Sequence, residues 1–170
     1  MPWAIIVISA TTAGILDFRE RRIPNWLVIL TIAMSLVYHV ATAGVGGLWS
    51  SVLGLLIGTA ILFPLFLLRG MGGGDVKFFG ALGAAVTYKY VFVVLFLSVV
   101  VAGALALVRI FYERAVLSTL ANTGRLIGRM ARGRFTPHPL WNLTNKEALS
   151  VPFGVAIAIA SWIFLFMKLR

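Results

Sequence analysis

Long uncharged hydrophobic runs, separated by short charged or glycine-rich stretches, dominate the chain. The stretch from Ile23 to Leu68 contains no charged residue. Because a membrane-spanning helix needs about 20 apolar residues, this stretch predicts two spans joined by a turn at 43–47. Segment 78–88 is short, and it crosses only if Lys77 and Lys89 extend to the two interfaces. The predicted spans are 1–16, 26–42, 48–68, 78–88, 90–108 and 148–167.

The distribution of basic residues predicts how these spans are oriented. Cytoplasmic loops of membrane proteins are enriched in Lys and Arg. With six spans, 12 of the 15 Lys and Arg residues lie on one side, whereas without segment 78–88 they divide almost equally. We therefore predict a first span that is retained rather than cleaved, and both termini outside. The basic loop at 113–147 is then cytoplasmic, and part of it is compatible with an amphipathic helix on the inner leaflet.

Composition supports an all-α membrane bundle that forms one domain over residues 1–170. The chain is 61% hydrophobic and only 12% charged, about half the charge of a soluble domain. On a membrane protein, the net charge of +10 indicates topology and contact with lipid headgroups rather than nucleic acid. Cysteine is absent and the two histidines lie in different segments, so we expect no disulfide, no metal and no cofactor.

The chain has two aspartates, Asp17 and Asp75, and two predicted spans separate them. Both carboxylates are therefore expected at the cytoplasmic face. Two neighbouring carboxylates share a proton. The ionised one can take a proton from water while the protonated one donates to a peptide carbonyl, which hydrolyses the peptide without a metal or a covalent intermediate.

Each aspartate also has a simpler interpretation. Asp17 is spaced to pair with Arg21 on one face of a helix, and Asp75 is spaced to be a helix N-cap. The glycines that precede Asp75 favour a site, because exposed glycine backbone can bind an extended peptide. We predict that this strip consists of Gly72, Gly73 and Gly74.

Three further features lie near the aspartates. Ile23, Pro24 and Asn25 predict a chain reversal, with Asn25 capping a helix that begins at Trp26. Lys77 has two interpretations: it tunes the charge of the aspartate pair, or it marks the membrane boundary. Helix dipoles predict that the shared proton resides mostly on Asp17, at a helix end, and that Asp75, at a helix start, is ionised.

These motifs resemble those of a known family. Gly72-Gly73-Gly74-Asp75 fits the GxGD pattern of intramembrane-type aspartic proteases. The Asp17 region, LDFRERRIPNWL, and the extended GMGGGDVKFFGALGA are similar to the two catalytic motifs of the type IV prepilin peptidase family. The late segment VPFGVAIAIAS resembles its last span, so the resemblance covers nearly the whole chain.

The resemblance implies that Asp17 and Asp75 are the catalytic pair of a membrane endopeptidase in the prokaryotic inner membrane. It implies cleavage of prepilin-like precursors after a glycine that precedes their hydrophobic segment, alongside a pilus assembly machinery. The bifunctional members add a domain with paired cysteines and N-methylate the product. This chain has no cysteine and no such insertion between its first two spans. It is similar to the short branch that serves tight-adherence pili, so no methyltransferase activity is expected.

Other readings remain open at this stage. An archaeal preflagellin-type peptidase is close to the same pattern. Presenilin-like and signal-peptide-peptidase-like enzymes share GxGD but usually have a Tyr before the first aspartate, where this chain has Leu16. A non-enzymatic scaffold of a secretion machine, or a proton-coupled transporter, is the alternative from another class. A transporter usually carries its carboxylates near the bilayer midplane, and a scaffold needs neither aspartate.

Overall fold

The described parts of the computed structural model, residues 2–68, 70–112 and 152–170, contain four helices and no strand. The predicted all-α architecture is therefore confirmed for these residues. The predicted cytoplasmic loop at 113–147 lies outside them. The helices are α1 (Trp3–Glu20), α2 (Asn25–Leu67), α3 (Gly73–Tyr112) and α4 (Phe153–Leu169).

Helix α2 folds back on itself at its centre. Ala43 and Gly44 leave helical geometry, and Gly44 adopts a φ of 56°, which glycine tolerates because it has no Cβ atom. On either side of this break, His39 Nε2 lies 3.0 Å from the Ala85 carbonyl oxygen and Ser51 Oγ donates to the Ala84 carbonyl at 2.8 Å. In a straight helix residues 12 positions apart would be about 18 Å apart. They reach adjacent carbonyls only because the chain reverses.

Helix α3 contains a second break, at Thr87, whose φ of 65° and ψ of 169° are not helical. The break interrupts the ladder of hydrogen bonds and leaves the preceding carbonyls without their usual helical partners. The side chains of His39 and Ser51 interact with these carbonyls instead. The chain reverses here too, since a Cβ atom at Gly83 would lie 3.4 Å from Val91 Cγ2. The breaks divide the long helices into 25–42, 45–67, 73–86 and 88–112.

Glycine allows α2 and α3 to approach each other with backbone in contact. A Cβ atom at Gly54 would collide with the carbonyl oxygen of Gly83, and one at Gly83 would collide with that of Gly54. One turn along, a Cβ atom at Gly58 would lie 3.1 Å from the Phe79 carbonyl oxygen. Close approach of this kind is the usual way in which membrane helices gain packing energy.

Helices α1 and α4 form an antiparallel pair. A Cβ atom at Gly14 would lie 2.8 Å from Ala158 Cβ, and the indole Nε1 of Trp162 donates to Thr11 Oγ1 at 3.1 Å. Helix α1 packs mainly on α4, α4 also packs on α3, and α3 packs on α2. Helix α4 thus connects α1 to the rest of the bundle.

The outer surface is apolar, as expected for a membrane protein. The helices Asn25–Leu67 and Gly73–Arg109 are long and apolar enough to cross a bilayer. Large hydrophobic side chains on them face outward; Val37 is 69% exposed and Phe96 is 68% exposed. The predicted count of six spans is not supported by the number of helices, although two predicted boundaries fall near the breaks in α2 and α3. Within the described residues there are four helices, two of them broken.

Candidate active site

One cleft, with a volume of about 400 Å³, collects most of the residues that the sequence motifs single out. It lies where α1 ends, where α2 begins and where α3 begins. Asp17 and Asp75 both line it, and the charge of Asp17 acts on the Asp75 carboxyl group. The complete lining is Asp17, Glu20, Arg21, Arg22, Ile23, Pro24, Asn25, Gly72, Gly73, Gly74 and Asp75.

Asp17 lies in the last turn of α1 and is only 7% exposed. Its Oδ2 accepts a hydrogen bond of 2.7 Å from the backbone N–H of Gly154, in the first turn of α4. The charge of Arg21 also acts on this carboxylate. Asp17 and Arg21 therefore interact, as their spacing predicts, and Asp17 still lines the cleft. The Arg21 backbone closes α1 in a left-handed conformation, with a φ of 52°.

Asp75 is the third residue of α3, so the interpretation of Asp75 as the N-cap was wrong. Its carboxylate accepts a hydrogen bond from the backbone N–H of Gly72, the residue just before the helix. An acidic side chain at the third helical position that reaches back to the N-cap N–H is one half of a capping box. A Cβ atom at Gly72 would lie 3.1 Å from Asp75 Oδ2, so glycine leaves room for the carboxylate.

The other two glycines of the predicted strip also line the cleft, but packing explains part of their presence. A Cβ atom at Gly73 would lie 3.1 Å from the Phe66 ring. A Cβ atom at Gly74 would meet Ile23 at 3.5 Å, which is ordinary contact. The strip therefore packs the start of α3 against its neighbours as well as forming one wall of the cleft.

The segment Ile23-Pro24-Asn25 forms the wall between α1 and α2. Ile23 is buried, and Pro24 adopts an extended conformation with a ψ of 144°. The predicted cap at Asn25 was wrong. Helix α2 begins at Asn25 itself, Pro24 stands at its N-cap position, and no side chain caps it.

Two placements differ from a site built on sequence motifs alone. Lys77 is exposed and does not line the cleft, because it lies on another face of α3 from Asp75. Gly154 contacts Asp17 although no motif assigned it a role. The local signals are Pro152, which marks the start of a helix, and the resemblance of the segment VPFGVAIAIAS to the last span of the family. Neither shows the contact itself, which joins residues 137 positions apart.

The surroundings of the two carboxylates change the expected location of their shared proton. From the sequence, only the dipoles of α1 and α3, the helices that carry the two aspartates, bear on this location. Asp17 also contacts the N-terminus of α4, through the backbone N–H of Gly154. An N–H donor and a helix N-terminus both favour the ionised form of a carboxylate. Burial favours the protonated form of both carboxyl groups, and the Gly154 N–H and the charge of Arg21 oppose it at Asp17. Because Asp17 has this positive charge beside it, we expect the proton on Asp75, whereas the dipoles of α1 and α3 alone predict Asp17.

The cleft contains a pair of groups that can serve acid–base chemistry. Two carboxylates from different helices line one cavity and interact electrostatically, and each accepts a hydrogen bond from a backbone N–H. In the described part of the chain, no group of three or more His, Asp or Glu residues is arranged to hold a metal ion.

A comparison with known protein families identifies the family of this chain. The model of the type IV leader peptidase family matches residues 4–107, which is more than half of the chain. The chain belongs to the type IV leader peptidase family. The resemblance to prepilin peptidases is thereby confirmed. No curated protein and no solved structure matches the chain.

Membership in the type IV leader peptidase family supports a peptidase in general and, together with the apolar helices, a membrane-bound one. The matched region contains both aspartates and every residue that lines the cleft. Helix α4, which holds Asp17 through Gly154, lies beyond it.

Proposed function

We propose that this protein is an aspartic endopeptidase of the prokaryotic inner membrane that removes the leader from prepilin-like precursors at the cytoplasmic face. The observation that carries the proposal is the meeting of the chain's two aspartates, Asp17 and Asp75, in one cleft. The chain belongs to a leader peptidase family. In such a protein, two carboxylates from separate helices can act as a catalytic dyad, one as the base and the other as the acid.

In the proposed reaction the dyad carries one proton. The ionised carboxylate takes a proton from a water molecule, and the oxygen of that water attacks the scissile carbonyl carbon. The protonated carboxylate donates to the carbonyl oxygen. The tetrahedral intermediate then collapses: the C–N bond breaks, the amine leaves with a proton from the dyad, and one hydroxyl of the intermediate gives its proton back to the dyad as the carbonyl re-forms.

We further propose that α2 and α3 each cross the membrane twice, which gives six membrane segments. The bilayer core is about 30 Å thick and needs about 20 helical residues, so a helix the length of α2 is far too long for one crossing. The breaks at Ala43–Gly44 and at Thr87 support the reversal of each helix at the outer face. On this topology the cleft and Arg19, Arg21 and Arg22 share the cytoplasmic side.

The position of the carboxylates supports a peptidase over a transporter. Asp17 lies in the last turn of α1 and Asp75 in the first turn of α3, so both are at one end of the bundle. Coupled transport uses carboxylates near the midplane, where access alternates between the two sides. A cleft at the surface suits a leader peptide that enters from the cytoplasm.

The substrate class is tested by mass spectrometry of the product. The full chain is co-expressed with a panel of precursors, each with a leader that ends in glycine and a hydrophobic segment after it. We expect at least one precursor to be shortened by hydrolysis after that glycine, with a free N-terminus that carries no added methyl group. Cleavage within the hydrophobic segment, or of none of the panel, would overturn the proposal. Cleavage of only preflagellin-type leaders would move the substrate to that class.

A further inference from the structure

Asp17 is held by a residue from the far end of the chain. Gly154 is the second residue of α4, and its backbone N–H donates to Asp17 Oδ2 at 2.7 Å. Both residues are buried. A hydrogen bond to an ionised group in a buried setting is among the stronger polar contacts in a protein. It fixes the orientation of the carboxyl group as well as its charge.

The contact depends on residue 154 being glycine. A Cβ atom there would lie 2.8 Å from both Cβ and Oδ2 of Asp17 and 3.1 Å from its Cγ. These distances are shorter than carbon and oxygen atoms tolerate. Because Asp17 Cβ is attached directly to the backbone of α1, it cannot swing aside. Any larger residue must move one helix away from the other.

Other contacts fix the place of α4 beside α1. Gly14 packs against Ala158, and Trp162 donates to Thr11. Helix α1 has few direct contacts with α3, whereas α4 packs on both. The orientation of Asp17 relative to Asp75 is therefore set largely through α4.

We propose that Gly154 is a positioning residue of the peptidase: its N–H holds Oδ2 of Asp17, so that Oδ1 is presented to the water and the scissile peptide. This inference rests on the proposed function and extends the site to α4. Gly154 does not itself touch the substrate. It acts only through the carboxyl group that it orients.

The test compares Gly154→Ala with Gly14→Ala in the purified full-length protein. Gly14 lies in the same interface, where an added Cβ atom would meet Ala158 Cβ at 2.8 Å and the Gly154 carbonyl oxygen at 3.4 Å, an ordinary contact; the Asp17 carboxylate is not among its three nearest neighbours. Both variants strain the contact between α1 and α4, so we expect similar losses of thermal stability. For Gly154→Ala we expect kcat to fall between about tenfold and about 100-fold, as misplacement of a catalytic group does. We expect KM to stay within about twofold, and Gly14→Ala to keep at least about half of the wild-type kcat.

An infrared measurement reads the carboxyl group directly. The chain has only two aspartates, so labelling with ¹³C at the aspartate carboxyl carbon marks the dyad alone, and Asp17→Asn assigns the bands. We expect Gly154→Ala to shift the Asp17 carboxylate band and to leave the Asp75 band in place. Gly14→Ala is expected to shift neither band.

The outcomes separate this inference from the proposed function. If wild type and Gly154→Ala cleave with equal kcat, or if both glycine variants lose kcat equally with an unshifted Asp17 band, Gly154 is a packing residue and the inference is wrong. If wild type cleaves no precursor, the proposed function fails and the inference fails with it. The expected pattern is a loss of kcat confined to Gly154→Ala with a shifted Asp17 band.

Discussion

Asp17 and Asp75 differ in the groups that surround their carboxylates. Asp17 has the Gly154 N–H and the charge of Arg21 beside it, and Asp75 has the Gly72 N–H. Donors and positive charges stabilise the ionised form. Since like charges in one cleft discourage double ionisation, we expect the single proton of the dyad to reside mostly on Asp75.

This assignment predicts an infrared result at neutral pH. With ¹³C-labelled aspartate, the wild type should show one protonated carboxyl band and one carboxylate band. Asp75→Asn should remove the protonated band, because Asp17 stays ionised beside Arg21 and Gly154. A protonated band that persists in Asp75→Asn would place the proton on Asp17 instead.

The same dyad predicts a bell-shaped dependence of kcat on pH. Catalysis needs one proton shared between Asp17 and Asp75. At low pH both carboxyl groups are protonated and no base remains; at high pH both are ionised and no acid remains. The measurement is kcat for a labelled precursor across the pH range in which the wild type stays folded. A profile without an alkaline limb would contradict a carboxylic acid as the proton donor.

The sequence was sufficient to identify the candidate site residues that lie in a short motif. The two aspartates are the only ones in the chain, and glycine and proline motifs flank them. The contact from Gly154 has no such signature, because it joins two helices at opposite ends of the sequence. The location of the proton stays a prediction: the dipoles of α1 and α3 favour Asp17 as the protonated group, whereas the N-terminus of α4, which the sequence alone does not place beside Asp17, favours Asp75.

The close contact between α2 and α3 predicts that adding a methyl group at Gly54 destabilises the protein. Gly54→Ala would force Cβ into the backbone of Gly83, and backbone cannot move aside as a side chain does. We expect a loss of about 1–3 kcal/mol in the free energy of unfolding. Gly46→Ala is the matched control, since it lies in the same segment of α2 with no atom within 4 Å of the new Cβ. Thermal unfolding in detergent measures both; equal stability would contradict this packing.

The two helix breaks were predictable to different degrees. The glycines at 43–47 predicted a turn, and α2 breaks at Ala43 and Gly44. The break at Thr87 carries no such pattern, because threonine rarely adopts a positive φ. The sequence instead placed a boundary near Lys89, from charge alone. The break at Thr87 depends on Ser51 and His39, which bond to the carbonyls before it.

In the proposed topology, the cleft and the break in α2 lie on opposite sides of the membrane. The chain contains no cysteine, so single cysteines can be introduced at the exposed positions Glu20 and Ala43 without background. In intact cells, a membrane-impermeant maleimide should label Ala43→Cys, and it should label Glu20→Cys only after permeabilisation. Labelling of both in intact cells would contradict the proposed topology.

Hydrophobic runs were enough to predict that the described residues are helical and include helices long and apolar enough to cross a membrane. They could not predict how the segments associate, because apolar faces of similar composition do not specify their partners. Helix α4 links α1 to α3 through contacts at small residues such as Gly14 and Gly154. Glycine also occurs at positions that make no such contact, so its presence in the sequence does not identify the partner helix.

The central claim is that Asp17 and Asp75 together cleave a leader peptide. The most direct measurement is cleavage of one precursor by purified wild type, Asp17→Asn, Asp75→Asn and Lys77→Gln. Lys77 is the control because it is two residues from Asp75 and outside the cleft. The account predicts that either aspartate variant loses at least about 1,000-fold in kcat, as when an essential acid or base is removed, while Lys77→Gln stays within about threefold of wild type. Aspartate variants that cleave as fast as wild type would contradict the dyad.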